Sequence, residues 1–252
     1  MSIGAGMLYN EGVIFGADTD ETVGEMRRRV HKIPTKMTEP RALITGACNN
    51  GHLMDTAVER IFDGLTKENS QTSESVAAFL HEVMLGLYER EFRLYPDQTS
   101  TSMRLLVAVK PETENKAVAW SVDCSSIHRM KPMEIVGCGD YAQYVADHLY
   151  VPGLSIESGM LAMVQIVSTA KKRVLYVGGE TFVHVLKDDG SVRLQNYHFS
   201  PEAEDLYEYF FTLGSGLLLA TGNKTISDAE FQHLGTEFIK HLLWKRKKIL
   251  GG

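Results

Sequence analysis

Short apolar runs alternate with stretches of four-residue periodicity, and this order constrains the fold more than any other feature of the chain. "IGAGMLY" (3–9) and "GVIFGA" (12–17) flank Asn10-Glu11, which reads as a hairpin turn. "RALITGAC" (41–48) reads as another buried strand. The spacing then changes. Leu53, Ala57, Ile61 and Leu65 recur every four residues, with Asn49 or Asn50 placed as a cap. Segment 73–92 repeats the pattern through Val76, Leu80, Met84 and Leu87. Strands return at 103–110 and 116–122 around the polar "PETEN", and at 132–139, where glycines lead into a helical "DYAQYVADHLY". Residues 155–173 predict a long amphipathic helix; "VLYVGG" and "TFVHVLKDDGSVRLQ" follow, the latter with an Asp189-Gly190 hairpin signal. Helices that come in pairs between strand blocks predict a layered α+β fold rather than a doubly wound parallel sheet. Two stacked antiparallel sheets covered by helices on both outer faces fit this order. Residues 199–250 predict about two further helices.

Composition narrows the function classes. The 252 residues, 44% hydrophobic, suit one large domain or one domain with an appendage. A net charge of -6 offers no nucleic-acid footprint, and the basic cluster Lys245-Arg246-Lys247-Lys248 reads as a solvated helix end. Three cysteines without CxxC spacing argue against a disulfide framework and a structural zinc site, and for a cytoplasmic protein. No signal peptide is expected, and the longest apolar stretch, "YFFTLGSGLLLA", is too short to span a bilayer. G-x-S-x-G, H-E-x-x-H and G-x-x-x-x-G-K-[ST] are missing; the glycine pairs at 178–179 and 214–216 lack phosphate-loop context. His81 and His148 lie in helical patterns and read as ordinary histidines. No metal or cofactor is expected.

The amino terminus offers chemistry instead. Ser2 is small, so Met1 is expected to be removed, leaving a hydroxyl and an α-amine on one residue. An α-amine titrates near pH 7.7–8.0 and is substantially unprotonated near neutrality. It can therefore act as the base that activates its own hydroxyl. A nearby lysine lowers the amine's pKa by repulsion, and a carboxylate holds that lysine. Asp18 and Lys32 lie close downstream. Within "DTDET", Asp20 and Glu21 are rivals to Asp18, and Lys36 is a rival to Lys32.

"GVIFGADTDET" resembles the second strand and turn of proteasome β-type subunits and related bacterial peptidases. In that family the catalytic Asp follows the nucleophile by sixteen residues; Ser2 and Asp18 have the same spacing, 18 − 2 = 16. "RVHKIPT" is similar to the strand bearing the family's catalytic Lys, which maps to Lys32. "ALITGACNNGH" is similar to its strand-to-helix turn, where a glycine amide donates to the oxyanion; the match is Gly46. "IVGCGDYAQYVADHL" resembles a later turn, with Cys138 where a Ser commonly sits and Gly139 beside it. "MVQIVSTAKKRVLYVGG" resembles the last long helix and its exit strand.

The resemblance covers residues 2–190 and implies the four-layer αββα sandwich of N-terminal-nucleophile hydrolases. It implies Ser2 as nucleophile, Lys32 tuning the amine, Asp18 orienting Lys32 and Gly46 as oxyanion donor. Thr22 maps to a position that binds substrate backbone, and Glu21, Val30, Ile44 and Cys48 to pocket-lining positions; Cys138 and Gly139 map to supporting positions. The implied reaction is hydrolysis of peptide bonds in peptide or unfolded-protein substrates, inside a homo-oligomer that forms a ring or an open assembly. A regulatory ATPase is not specified, and neither nucleic acid nor membrane is an expected partner. Two departures stand out. Ser replaces Thr and lacks the methyl that restricts the hydroxyl rotamer, and Val174 and Val177 occupy positions where the family carries an Asp and a Ser. Rival readings on the same fold are an amidase for a small amide and an inactive assembly subunit. The expected organisation is a hydrolase domain at 2–198 and a helical extension at 199–252, packed on that domain or on a neighbouring subunit.

Overall fold

The computed structural model describes residues 3–23, 26–47, 51–92, 103–123, 126–137, 140–175, 177–194 and 199–249. They fall into two units, one ending at Gln195 and one beginning at Asn196.

The first unit contains two five-stranded antiparallel sheets. β1 (Ile3–Tyr9) and β2 (Gly12–Asp18) form the hairpin around Asn10-Glu11. β3 (Asp20–Val23) and β4 (Met26–Arg29) make a separate small hairpin. β5 (Thr35–Lys36), β6 (Ala42–Ala47), β7 (Arg104–Val109), β8 (Val118–Asp123) and β9 (Ile127–Arg129) lie side by side as one sheet. The other sheet runs β10 (Met133–Gly137), β1, β2, β11 (Thr181–Lys187), β12 (Val192–Leu194), with Asp189-Gly190 in the last turn.

Helices cover both outer faces. α1 (Gly51–Gly64) packs on β6, and α2 (Ser73–Leu87) packs on β8 and β9. α3 (Asp140–Leu149) packs on β10, and α4 (Ile156–Arg173) packs on β1, β2 and β11. β1 and β2 face β6, and β10 faces β7, so the layers run α, β, β, α. Strand alternation builds the three interfaces. Ala42 and Ile44 of β6 and Leu105, Val107 and Val109 of β7 face α1 and α2. Leu43, Leu106 and Ala108 from the same strands meet Val13, Phe15 and Ala17 of β2 between the sheets.

Several expectations shift. The α-helical part of 73–92 ends at Leu87 and continues as a π-type turn over Tyr88–Phe92. "VLYVGG" is not an exit strand: its described residues are irregular, and the next strand starts at Thr181. Lys32 sits between β4 and β5 rather than in a strand. The caps expected at Asn49 or Asn50 lie outside the described residues; Thr72 caps α2 in a reciprocal box with Ser75, and Ser155 caps α4.

The second unit is a helical hairpin of α5 (Phe199–Thr221) and α6 (Asp228–Ile249). Phe210 and Phe238 stack across it at 5.6 Å. Lys245 is not solvated as expected. It is buried beside Trp244, while Arg246, Lys247 and Lys248 are exposed. No helix among the described residues is long and apolar enough to cross a membrane.

Candidate active site

The hairpin β1–β2 and the segment after β4 converge on one buried carboxylate. Asp18 ends β2 and is fully buried. The β3–β4 hairpin folds the chain back so that Val30 donates to the Thr19 carbonyl at 2.8 Å, which delivers Lys32 to Asp18. Lys32 Nζ lies 2.8 Å from Asp18 Oδ1 and also donates to the Asp20 carbonyl; its side chain is only 9% exposed. The Ile3 amide donates to the same Oδ1 at 3.1 Å, and the Gly178 amide donates to Oδ2 at 3.2 Å. Burial pushes the Asp18 carboxyl above its ordinary range, while the Lys32 ammonium and the two amides oppose that push. A buried ion pair needs its remaining lone pairs filled, and here backbone amides fill them.

The Ile3 nitrogen is the peptide nitrogen bonded to the Ser2 carbonyl carbon. Asp18 therefore grips the junction between residues 2 and 3. Ser2 itself lies outside the described residues, as do Cys48, Cys138 and Gly139.

The end of β6 meets this corner from the opposite sheet. A Cβ on Gly4 would lie 3.2 Å from the Gly46 nitrogen and 2.9 Å from Thr45 Oγ1, so only glycine allows the two backbones this close. Gly46 needs the same permission: a Cβ there would stand 2.6 Å from the Arg104 carbonyl oxygen. Asp18, Lys32 and Gly46 thus share the corner where β1 begins.

The rivals sit elsewhere. Lys36 Nζ donates to the Phe62 and Leu65 carbonyls, both at 2.6 Å, at the end of α1. Asp20 presents its carbonyl to Lys32, and its carboxylate lies against the Gly178-Gly179 turn. Glu21 and Thr22 pair in register with Arg28 and Arg27 in the small hairpin, and their side chains are not described. Val30 is half-buried, and Ile44 is buried against α1 and α2. Val174 caps α4 through its amide, and Val177 is buried, so neither position carries a polar side chain.

Two features escaped the sequence reading. Gly178-Gly179 wraps the corner: a Cβ on Gly178 would stand 2.8 Å from Asp20 Oδ2, and Gly179 adopts φ +73°. The adjacent glycines just before a strand were the only signal. Beside Lys32, His31 packs 5.1 Å from His184, whose Nδ1 lies 3.1 Å from Thr35 Oγ1. Burial, helped by His31, pushes His184 down to about 4. Farther along the sheet interface, Arg104 pairs with the buried Glu134 and donates to Ser121 Oγ at 3.1 Å.

No family model and no curated protein matches the chain in sequence. Solved structures match it in fold. An Anbu mutant from Hyphomicrobium sp. superimposes with a TM-score of 0.74 at 11% identity, over 86% of this chain and 99% of that one. Anbu from Yersinia bercovieri, described as an ancestral beta-subunit, gives 0.70 at 13% identity over 88% and 97%. A helical assembly of the Anbu complex from Pseudomonas aeruginosa gives 0.69 at 12% identity over 90% and 99%. At these identities the likeness establishes the fold, a proteasome-like αββα sandwich.

Proposed function

We propose that the chain is an N-terminal-nucleophile peptidase, acting through Ser2 after removal of Met1. The observation that carries this reading is the hydrogen bond from the Ile3 amide to Asp18, because it ties the first residues of β1 to the buried Asp18–Lys32 pair. In the mechanism, the Ser2 α-amine takes the hydroxyl proton as Oγ attacks the substrate carbonyl. Lys32 holds the amine in its neutral, basic form, and Asp18 orients Lys32. The Gly46 amide donates to the developing oxyanion, a contribution of about 3–4 kcal/mol for one such donor. The amine returns its proton to the departing amino group, and the acyl ester on Ser2 is then hydrolysed by water. Thr22 binds substrate backbone, Glu21 and Cys48 line the specificity pocket, and Cys138 and Gly139 support the amine.

The subunit works in the cytoplasm as a homo-oligomer; its assembly, not its location, is supported by the Pseudomonas aeruginosa neighbour, whose description is a helical assembly. The hydrolase domain spans 2–198. The α5–α6 extension carries exposed apolar residues that suit packing against another copy of this chain. The valines at 174 and 177 favour a second reading, an inactive assembly subunit, because they leave the amine without the polar pair the family places there. Fluorogenic peptides separate the two. Turnover that Ser2→Ala abolishes supports the peptidase; no turnover by the Met1-free parent supports the inactive subunit.

A further inference from the structure

We propose that His184 is a positioning residue for Lys32, acting through a hydrogen-bond chain that runs from its ring through the Thr35 hydroxyl to the Ile33 carbonyl. The inference rests on the reading above of Lys32 as the group that tunes the amine. Lys32 lies in a stretch that belongs to no strand. Backbone bonds anchor its flanks: the Val30 amide donates to the Thr19 carbonyl at 2.8 Å, and the Ile44 amide donates to the Pro34 carbonyl at 3.1 Å. Neither bond touches Ile33, the residue next to Lys32. The chain from His184 does. The Ile33 carbonyl accepts from the Thr35 hydroxyl at 3.0 Å, and Thr35 Oγ1 lies 3.1 Å from His184 Nδ1. The His184 ring also donates to that carbonyl.

His184 comes from the opposite sheet. It pairs in register with Phe15 of β2 and faces the layer between the sheets, as Leu186 does two residues on. It is buried. A leucine would suit that layer without the desolvation a buried imidazole suffers. Burial, with His31 adding to it, pushes the ring down to about 4, so it is neutral near pH 7 and donates from one nitrogen. The Thr35 hydroxyl has a single proton, which it gives to Ile33. Thr35 Oγ1 therefore accepts, and the ring proton is assigned to Nδ1. His31, the residue before Lys32, packs its ring 5.1 Å from the same imidazole. The residues on both sides of Lys32 are thus tied to one buried side chain, and Lys32 between them meets Asp18 Oδ1 at 2.8 Å. Lysine is a point charge on a flexible four-carbon stem, so a fixed backbone is what makes the place of its ammonium reproducible.

Variants of the full-length protein carrying isotope-labelled lysine test the assignment. The NMR signal of the Lys32 ammonium, identified by its loss in Lys32→Met, reports its place without any need for turnover. Thr35→Val should move that signal and lower kcat by about tenfold, with KM within about twofold, as loss of one hydrogen bond predicts. His184→Leu should do the same, and the double variant should be no slower than either, because both cut one chain. Thr35→Ser keeps the hydroxyl, and His184→Asn sets an amide donor where Nδ1–H stood. Each should return the signal and most of kcat. A Lys32 signal unmoved in Thr35→Val and His184→Leu overturns the assignment. So does a loss confined to KM, a double variant slowed by the product of the two losses, or a loss that Thr35→Ser and His184→Asn do not recover. A parent without turnover would sink the peptidase reading, and the ammonium signal would still decide whether His184 positions Lys32.

Discussion

Helix α4 and helix α5 are both long and apolar, yet they live differently. From Met160 to Ala170, α4 is almost continuously buried against β1, β2 and β11. α5, in the separate C-terminal unit, leaves Phe210, Phe211, Leu218 and Leu219 exposed, the last two 73% and 75% accessible. α6 leaves Leu243 and Trp244 similarly open. The contrast separates two kinds of sequence. The sandwich contains its own complement: each apolar strand face meets a second sheet or a helix pair, and buried Asp18, Lys32 and Glu134 find partners inside it. The two-helix unit cannot bury all its apolar surface by itself. At about 25 cal/mol per Å² that surface is worth covering, and the proposed cover is another copy of the chain.

The largest expected effect lies on the sandwich side. Ser2→Ala should cut turnover on fluorogenic peptides by about a thousandfold or more and leave sedimentation unchanged. Chemistry and assembly would then be assigned to different units; a Ser2→Ala protein that falls apart would break the division.

Next comes the buried pair. Asp18→Asn keeps the shape but leaves Lys32 beside a neutral amide, and turnover should drop about a hundredfold with little change in KM. A fully active Asp18→Asn enzyme would mean that this corner only holds β1 in place.

Leu218→Glu combined with Leu219→Glu attacks the other side of the contrast. The sedimentation coefficient should fall toward that of a monomer, while circular dichroism stays helical. A parent-like coefficient would show that α5 needs no cover from another copy.

The smallest effect is pH-dependent and confined to the sandwich. His184 titrates near 4 when folded and near 6.5 when unfolded. The unfolded chain therefore binds more protons between these values, so stability is fully present above about pH 6.5 and falls as pH drops toward 4. Urea midpoints should decline from pH 7.5 to 5, and His184→Gln should flatten that decline. Parallel curves for the two proteins would remove His184 as the cause.

Local signals account for what the sequence made legible. Short apolar runs flanking Asn10-Glu11 announce β1–β2, four-residue spacing announces α1 and α2, and an amphipathic pattern announces α4. The Asp18–Lys32 meeting was legible only through family spacing. Choosing Lys32 over Lys36 depends on β3–β4, whose four-residue strands are too short to show a period. The Gly178 amide reaches Asp18 across 160 residues, so the adjacent glycines mark a turn but nothing local names its partner. Thr35 reads as an ordinary strand residue until His184 of the other sheet is set beside it. Lys245 reads as solvated because its three basic neighbours, Arg246, Lys247 and Lys248, are, and only the helical hairpin reveals which of the four turns inward.

The central claim is that Ser2 becomes the first residue and the nucleophile. Intact mass before and after treatment with an acylating β-lactone tests it most directly. The account predicts a starting mass lacking Met1, and a single adduct mapped to the peptide that begins at Ser2. A mass that retains Met1, or an adduct on any other residue, would contradict it.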